Sequence, residues 1–241
     1  MNNRLFASEG VYIWHVNLRA RRLSAINKYS NILSSDERDR AARFKFPDHR
    51  DRYIIAHAAL RSILAGYLEA DPARLEFCRG PYGKPELVSA THRKPLDFNL
   101  SHSHESALVA VTLGRQIGVD IEYIKRDFHW QEVAERFFAP GEIARLRALP
   151  EEQQQRGFFA CWTRKEAYIK AKGGGLSIPL QDFEVSLAPG EPVSLVSCST
   201  DPEEVTRWSL AEMDVGPEYA AAVAVEGHGW KLHCWRWPPK P

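Results

Sequence analysis

Asp120 and Glu122 stand two apart in the stretch GVDIE, and Glu166 and Lys170 stand four apart in WTRKEAYIK. In an extended chain, residues two apart face the same way. Asp120 and Glu122 therefore share one face, and Val119, Ile121 and Tyr123 share the other. Two carboxylates about 6–7 Å apart along a strand repel unless a positive charge lies between them. Two readings fit the pair: an exposed edge with two solvated acids, or a cation site. Glu166 adds weight to the second. At about 100° per residue along a helix, it falls in the arc of Phe158, Phe159, Trp162 and Ile169. A carboxylate enters an apolar face only with a partner, because losing its water is costly. Asp120, Glu122 and Glu166 converging on one point would offer oxygen ligands alone. No His or Cys lies at zinc spacing around them, so a hard cation such as Mg²⁺ suits the set. Mg²⁺ keeps waters and binds substrate phosphates, so the metal implies a phosphate-bearing substrate.

Lys170 also has two readings. It can form a surface i,i+4 pair with Glu166, worth about 0.2–0.5 kcal/mol, or it can reach a phosphoryl oxygen. Gly173, Gly174 and Gly175 behind it read as a helix stop, since a phosphate cradle needs a helix N-terminus. Arg38, Arg40, Arg43, Arg50, Arg52 and Arg61 cluster on two helical stretches. Each is either solvated or ion-paired, or offers its fork to phosphate oxygens. GPYGKP puts Lys84 on a tight turn, and SHSH puts Ser101 and His102 near a strand tip. A lone His is more often structural or exposed than functional. There is no Gly-x-Ser-x-Gly elbow, so the chain brings no nucleophile of that kind.

The elements that must position these groups follow from periodicity and punctuation. Residues 11–18 alternate as a strand. Ser34 or Ser35 caps a short helix with Asp36 and Glu37 in its first turn. Pro47 and Asp48 open a long helix through Tyr53, Ile54, Leu60, Ile63, Leu64 and Tyr67, stopping between Gly66 and Pro72. LEFCRG is a short strand, and GPYGKPEL is a turn. LDFNLSHSHESALVAVTL gives two strands around a polar turn, and IGVDIEYI gives another. RFFAPGEIARLRAL is a capped helix with Pro140 near its start. Residues 151–172 form the second long helix, SIPLQDFEVSL is extended, and short strands fill residues 193–235. Residues 128–138 read as a loop region. The order of strand, acidic-capped short helix, long helix and strand occurs over residues 11–77 and again over 117–185. The expected fold class is α+β, with two pseudo-symmetric lobes. Each lobe is a small, mainly antiparallel sheet packed by a long helix. The lobes divide at 1–113 and 114–241, and the ligand site lies at their interface.

Bulk composition narrows the partners. The chain has 241 residues, 44% hydrophobic and 26% charged, with 32 Lys and Arg against 31 Asp and Glu. A formal net charge of +1 gives no global field for nucleic acid or an anionic membrane. The four cysteines, Cys78, Cys161, Cys198 and Cys234, form no CxxC pair, which argues against zinc or a redox dithiol. The first residues show no signal peptide, and no apolar run approaches a membrane span. A reduced, cytoplasmic protein is expected.

GVDIE followed by WTRKEAYIKAKGGGLS resembles the signature pair of the 4′-phosphopantetheinyl transferases. More narrowly, it resembles their two-lobed, surfactin-synthetase-activating (Sfp-type) class. RDRYIIAHAALR, GPYGKPEL, FNLSHSHE, RFFAPGE and LSIPL follow that family's order. The resemblance covers about residues 36–183. It implies two similar α+β lobes with coenzyme A between them, acting as a monomer. It also implies transfer of the phosphopantetheine arm of coenzyme A to a serine of an apo acyl or peptidyl carrier protein, with Mg²⁺ and release of 3′,5′-ADP. By position, Asp120, Glu122 and Glu166 resemble the metal ligands, and Lys170 the phosphate-contacting lysine. Lys84, Ser101, His102, Arg52 and Arg40 resemble residues that bind the coenzyme. Glu166 would also serve as base, and Glu142 matches an acid considered as a helper. Two rival functions use the same residues: an Mg²⁺-dependent phosphohydrolase, and a catalytically silent binder of coenzyme A or carrier protein.

Overall fold

The computed structural model describes residues 7, 9–19, 23–88 and 95–238. The first half runs β1 (Gly10–Asn17), α1 (Leu23–Ser30), α2 (Ser35–Ala42), α3 (Pro47–Leu68), β2 (Phe77–Arg79), β3 (Pro85–Leu87), β4 (Leu96–Ser103) and β5 (Ser106–Leu113). The second half repeats that order as β6 (Ile117–Tyr123), α4 (Trp130–Phe137), α5 (Pro140–Ala148), α6 (Glu151–Lys172), β7 (Phe183–Val185) and β8 (Leu195–Cys198). It then adds α7 (Glu204–Arg207) before β9 (Trp208–Glu212) and β10 (Tyr219–Glu226). The last strand, β11 (Lys231–Trp237), closes the series. One sheet has the order β11-β1-β5-β4 and another β6-β10-β9. In each half the leading strand pairs antiparallel with the closing one, β1 with β5 and β6 with β10. The α+β, two-lobed arrangement expected from the sequence is therefore present.

Local signals explain the boundaries. Ser34 accepts from the Glu37 amide at 3.2 Å, and Glu37 accepts from the Ser34 amide at 2.9 Å, a reciprocal cap that starts α2. The glycine stop of α6 works as expected, with Gly173 in the left-handed region at φ 70°. Alternation in β6 sends Val119 and Ile121 into a core shared with Val11, Ile13, Leu108 and Ala110 of the first sheet. The other face of the second sheet carries Ala220, Ala222 and Ala224 toward α6. The first sheet packs its outer face against α3, around Phe98, Val109, Leu60 and Leu64.

The halves also share one buried device. Glu37 pairs with Arg61 at 2.6 Å, and Arg61 donates to the Pro72 and Leu75 carbonyls at 3.0 and 2.9 Å. Its guanidinium lies 5.1 Å from the Phe77 ring centre. In the second half, Glu142 pairs with Lys165 at 2.8 Å. Lys165 donates to the Leu180 and Phe183 carbonyls at 2.7 and 2.5 Å, with its ammonium 4.2 Å from the Phe183 ring centre. In both cases a carboxylate on the short helix, a cation on the long helix and the start of the next short strand are tied together.

Two expectations need correction. Residues 128–138 are largely the helix α4, because Trp130, Val133, Ala134 and Phe137 recur at helical spacing. SIPLQDFEVSL is not extended throughout: Gly175–Ser177 and Leu180–Asp182 are 3₁₀ turns, and only Phe183–Val185 is a strand. The closing aromatic segment reaches back across the molecule. β11 runs parallel to β1, and Trp237 joins the first core.

Candidate active site

β4 and β6 are edge strands of different sheets, joined by side chains where a backbone ladder would otherwise run. The sequence of β4, LDFNLSHS, alternates apolar and polar residues, so Leu96 and Phe98 go to the core and the odd-numbered positions turn to β6. The Ile117 amide donates to Asp97 Oδ2 at 2.9 Å, the Val119 amide to Asn99 Oδ1 at 2.9 Å, and the Tyr123 amide to Ser103 Oγ at 3.0 Å. Ser101 donates to Asp120 Oδ1 and Ser103 to Glu122 Oε2, each at 2.8 Å. Asp97, Asn99 and Ser103 were not singled out by the sequence. The alternation in β4 was their only signal.

α6 lies directly over this seam. A Cβ built on Gly118 would stand 2.1 Å from the Ala167 carbonyl oxygen and 2.3 Å from the Ala171 amide nitrogen. Only glycine permits that approach, and it brings Glu166 and Lys170 over Asp120. Lys170 Nζ pairs with Asp120 Oδ1 at 2.5 Å and reaches Ser101 Oγ at 3.2 Å. The arc expected to bury Glu166 is only partly covered, and Glu166 lies on a strip where α6 reaches the surface. Phe158, Phe159 and Ile169 are buried, whereas Trp162, Glu166 and Lys170 are half-buried. α6 is covered on most sides, so partial exposure is what distinguishes this strip.

The electrostatics of the three acids are coupled. Burial raises the Glu122 carboxyl above its ordinary value, and the charge of Asp120 raises it further, against the pull of Ser103 and Lys170. Burial likewise raises Glu166; Lys170 opposes this, and Asp120 and Glu122 add to it. Asp120 is only 2% exposed, and its Oδ2 is buried with no hydrogen-bond partner. Among the described residues, no three His, Cys, Asp or Glu side chains are gathered tightly enough to form a ready-made metal cage. An unpartnered buried carboxylate oxygen beside two further acids is nonetheless a donor set that fits a hard divalent cation.

The remaining basic residues divide by position. His102 stands at the surface beside the seam. Protein around it lowers its imidazole pKa, as do the charges of His57, Lys170 and Arg40. Arg40 is exposed, 5.6 Å from the Tyr53 ring centre. Arg52 lies 3.9 Å from Glu105, which also binds Arg19 at 2.5 Å. Lys84 spends its ammonium on the seam, 3.0 Å from both Asp97 Oδ2 and the Ile117 carbonyl. Glu142 is fully buried, accepting from the Ala139 and Val185 amides at 2.9 and 2.8 Å besides holding Lys165. Nothing leaves it open to a substrate.

Residues 116–224 match the family described as the 4′-phosphopantetheinyl transferase superfamily, and residues 22–113 match that described as 4′-phosphopantetheinyl transferase, N-terminal. The chain is 41% identical to the 4′-phosphopantetheinyl transferase HetI of Nostoc sp. over 98% of its own length and 95% of that protein. It is 29% identical to the 4′-phosphopantetheinyl transferase Sfp of Bacillus subtilis, covering 81% of this chain and 83% of that one. A solved holo-(acyl-carrier-protein) synthase from Bacillus anthracis, in complex with CoA (3′,5′-ADP), is 24% identical. It covers 47% of this chain and 96% of its own, with a TM-score of 0.39, too loose to place residues.

Proposed function

This chain belongs to the 4′-phosphopantetheinyl transferase superfamily, and from that premise we propose which of its residues perform the transfer. The enzyme moves the 4′-phosphopantetheine arm of coenzyme A to a serine of an apo carrier protein. The serine oxygen forms a bond to the phosphorus that bears the arm, the diphosphate bridge breaks, and 3′,5′-ADP leaves. We assign the binding of Mg²⁺ to Asp120, Glu122 and Glu166. The observation that carries this is the buried, unpartnered Asp120 Oδ2 flanked by two acids whose carboxyls are raised by burial and by the charge of Asp120. The chemistry supplied by bound Mg²⁺ is neutralisation and orientation of the diphosphate.

The chain's own groups do the rest. Lys170, already beside Asp120, stabilises charge that grows on the phosphoryl oxygens. Glu166 accepts the proton of the carrier serine. Arg40, His102 and Ser101 bind the phosphates of coenzyme A from the first lobe, and Arg52 adds charge at the edge of that group. Lys84 supports the same ligand by pinning the GPYGKP turn to β6. Residues 1–113 bring β4 to the seam and residues 114–241 bring β6 and α6, with β11 reaching back to the first sheet. Both sides of the seam come from one chain, which supports action as a monomer. Four free thiols suit a reducing cytoplasm, and no described helix is long and apolar enough to cross a membrane.

The test is incubation with coenzyme A, Mg²⁺ and an apo carrier protein, followed by intact mass measurement of the carrier. Wild type should add one phosphopantetheine arm, and Asp120→Ala should add none while keeping its fold. Free phosphate without a mass gain, or full transfer by Asp120→Ala, would overturn the reading.

A further inference from the structure

Ser103 lies outside every residue assigned above, yet its hydroxyl joins both lobes to one acid. It donates to Glu122 Oε2 at 2.8 Å and accepts from the Tyr123 amide at 3.0 Å. Ser101, two residues earlier on the same strand, treats Asp120 in the same way. A serine hydroxyl has one proton to give. Because the Tyr123 amide already points into the Ser103 oxygen, that proton is directed at Glu122. One carboxylate oxygen of Glu122 is thereby fixed, and the other is left for a ligand. Asp120 shows the same division, with Oδ1 held by Ser101 and Lys170 and Oδ2 unpartnered.

We propose that Ser103 is a positioning residue that orients Glu122 toward the divalent cation. This rests on the assignment of Asp120, Glu122 and Glu166 to that ion. Hydrogen-bond partners behind a metal-binding carboxylate set its direction, and removing one weakens metal binding by about 10-fold or more. Ser103 makes no contribution to the chemistry itself, because its hydroxyl is spent between the carboxylate and the backbone.

The test measures Mn²⁺ binding to the whole protein in the presence of coenzyme A by electron paramagnetic resonance, in wild type, Ser103→Ala and Ser103→Thr. 3′,5′-ADP binding without metal and thermal melting are recorded alongside. The expected result is Mn²⁺ binding about 10-fold weaker in Ser103→Ala, near wild type in Ser103→Thr, and unchanged nucleotide binding in both. Equal Mn²⁺ binding in wild type and Ser103→Ala would overturn this proposal and leave the metal assignment standing. So would equal weakening in Ser103→Thr and Ser103→Ala. Absence of Mn²⁺ binding in wild type would instead remove the metal assignment, and this inference with it.

Discussion

Glu142 and Lys165 are both completely shielded from solvent and paired at 2.8 Å. Their counterparts Glu37 and Arg61 occupy the same place in the other lobe, which carries none of the three assigned acids. A device repeated where no chemistry occurs is architectural. Lys165→Met should therefore cost about 3–5 kcal/mol in denaturant unfolding, because it strands a buried charge. The pH–rate profile of the folded fraction should not move. Glu166→Gln should do the opposite, keeping stability and losing about 10²–10⁴-fold in transfer rate. Activity near wild type in that variant would sink its role as base. Glu37 gives a pH test. Burial alone would raise its carboxyl, but hydrogen bonds from His57, Arg61 and the Ser34 backbone outweigh that and hold it at about 2, below 4.5. A carboxyl held lower in the folded state stabilises above the unfolded value and loses that contribution as pH falls through the folded one. Urea unfolding should therefore show about 3 kcal/mol lost between pH 4.5 and 2, a loss missing from Glu37→Gln. At this scale the sequence exposed the acids because carboxylates in GVDIE and in an oily helix conflict with their surroundings. Ser103 conflicts with nothing locally, Lys165 reads as one more charge beside Arg164 and Glu166, and the partners of both lie on other elements.

α6 and β6 meet more closely than a side chain allows, and Gly118 is the reason. Gly118→Ala must push α6 outward against its backbone, an overpacking worth about 1–3 kcal/mol or more. The same displacement carries Glu166 and Lys170 away from Asp120. A lower melting temperature together with loss of transfer is expected, and a variant that melts and turns over like wild type would contradict the packing. The long helices were legible because their caps and apolar spacing are local: α3 and α6 lie where Pro47 and Gly173 place them. α4 was missed because its short amphipathic stretch sits among Phe128, Phe137 and Phe138, whose clustering hides the period. The 3₁₀ turns at residues 175–182 were missed because Pro179 and three glycines mark irregular chain without saying which kind.

Across the whole molecule, the repeated order of elements is legible in the sequence, although the two halves share little identity. What could not be read was how the lobes meet. β11 pairs with β1 over a separation of more than two hundred residues, and no local pattern records that choice. Its rings settle into the first lobe: His233 stacks 5.1 Å from Tyr12, and Trp237 lies 5.2 Å from Tyr29. Deleting residues 231–241 should therefore lower the melting temperature by destabilising the first lobe, though every assigned acid lies elsewhere. Unaltered melting would mean that β11 adds nothing to that sheet. The deeper claim is that the seam between lobes gathers Asp120, Glu122 and Glu166 around one divalent ion. Anomalous diffraction from crystals soaked in Mn²⁺ and coenzyme A tests it most directly. The expected result is a single strong peak about 2.0–2.2 Å from an oxygen of each acid. A peak touching none of the three, with coenzyme A bound at the seam, would contradict it.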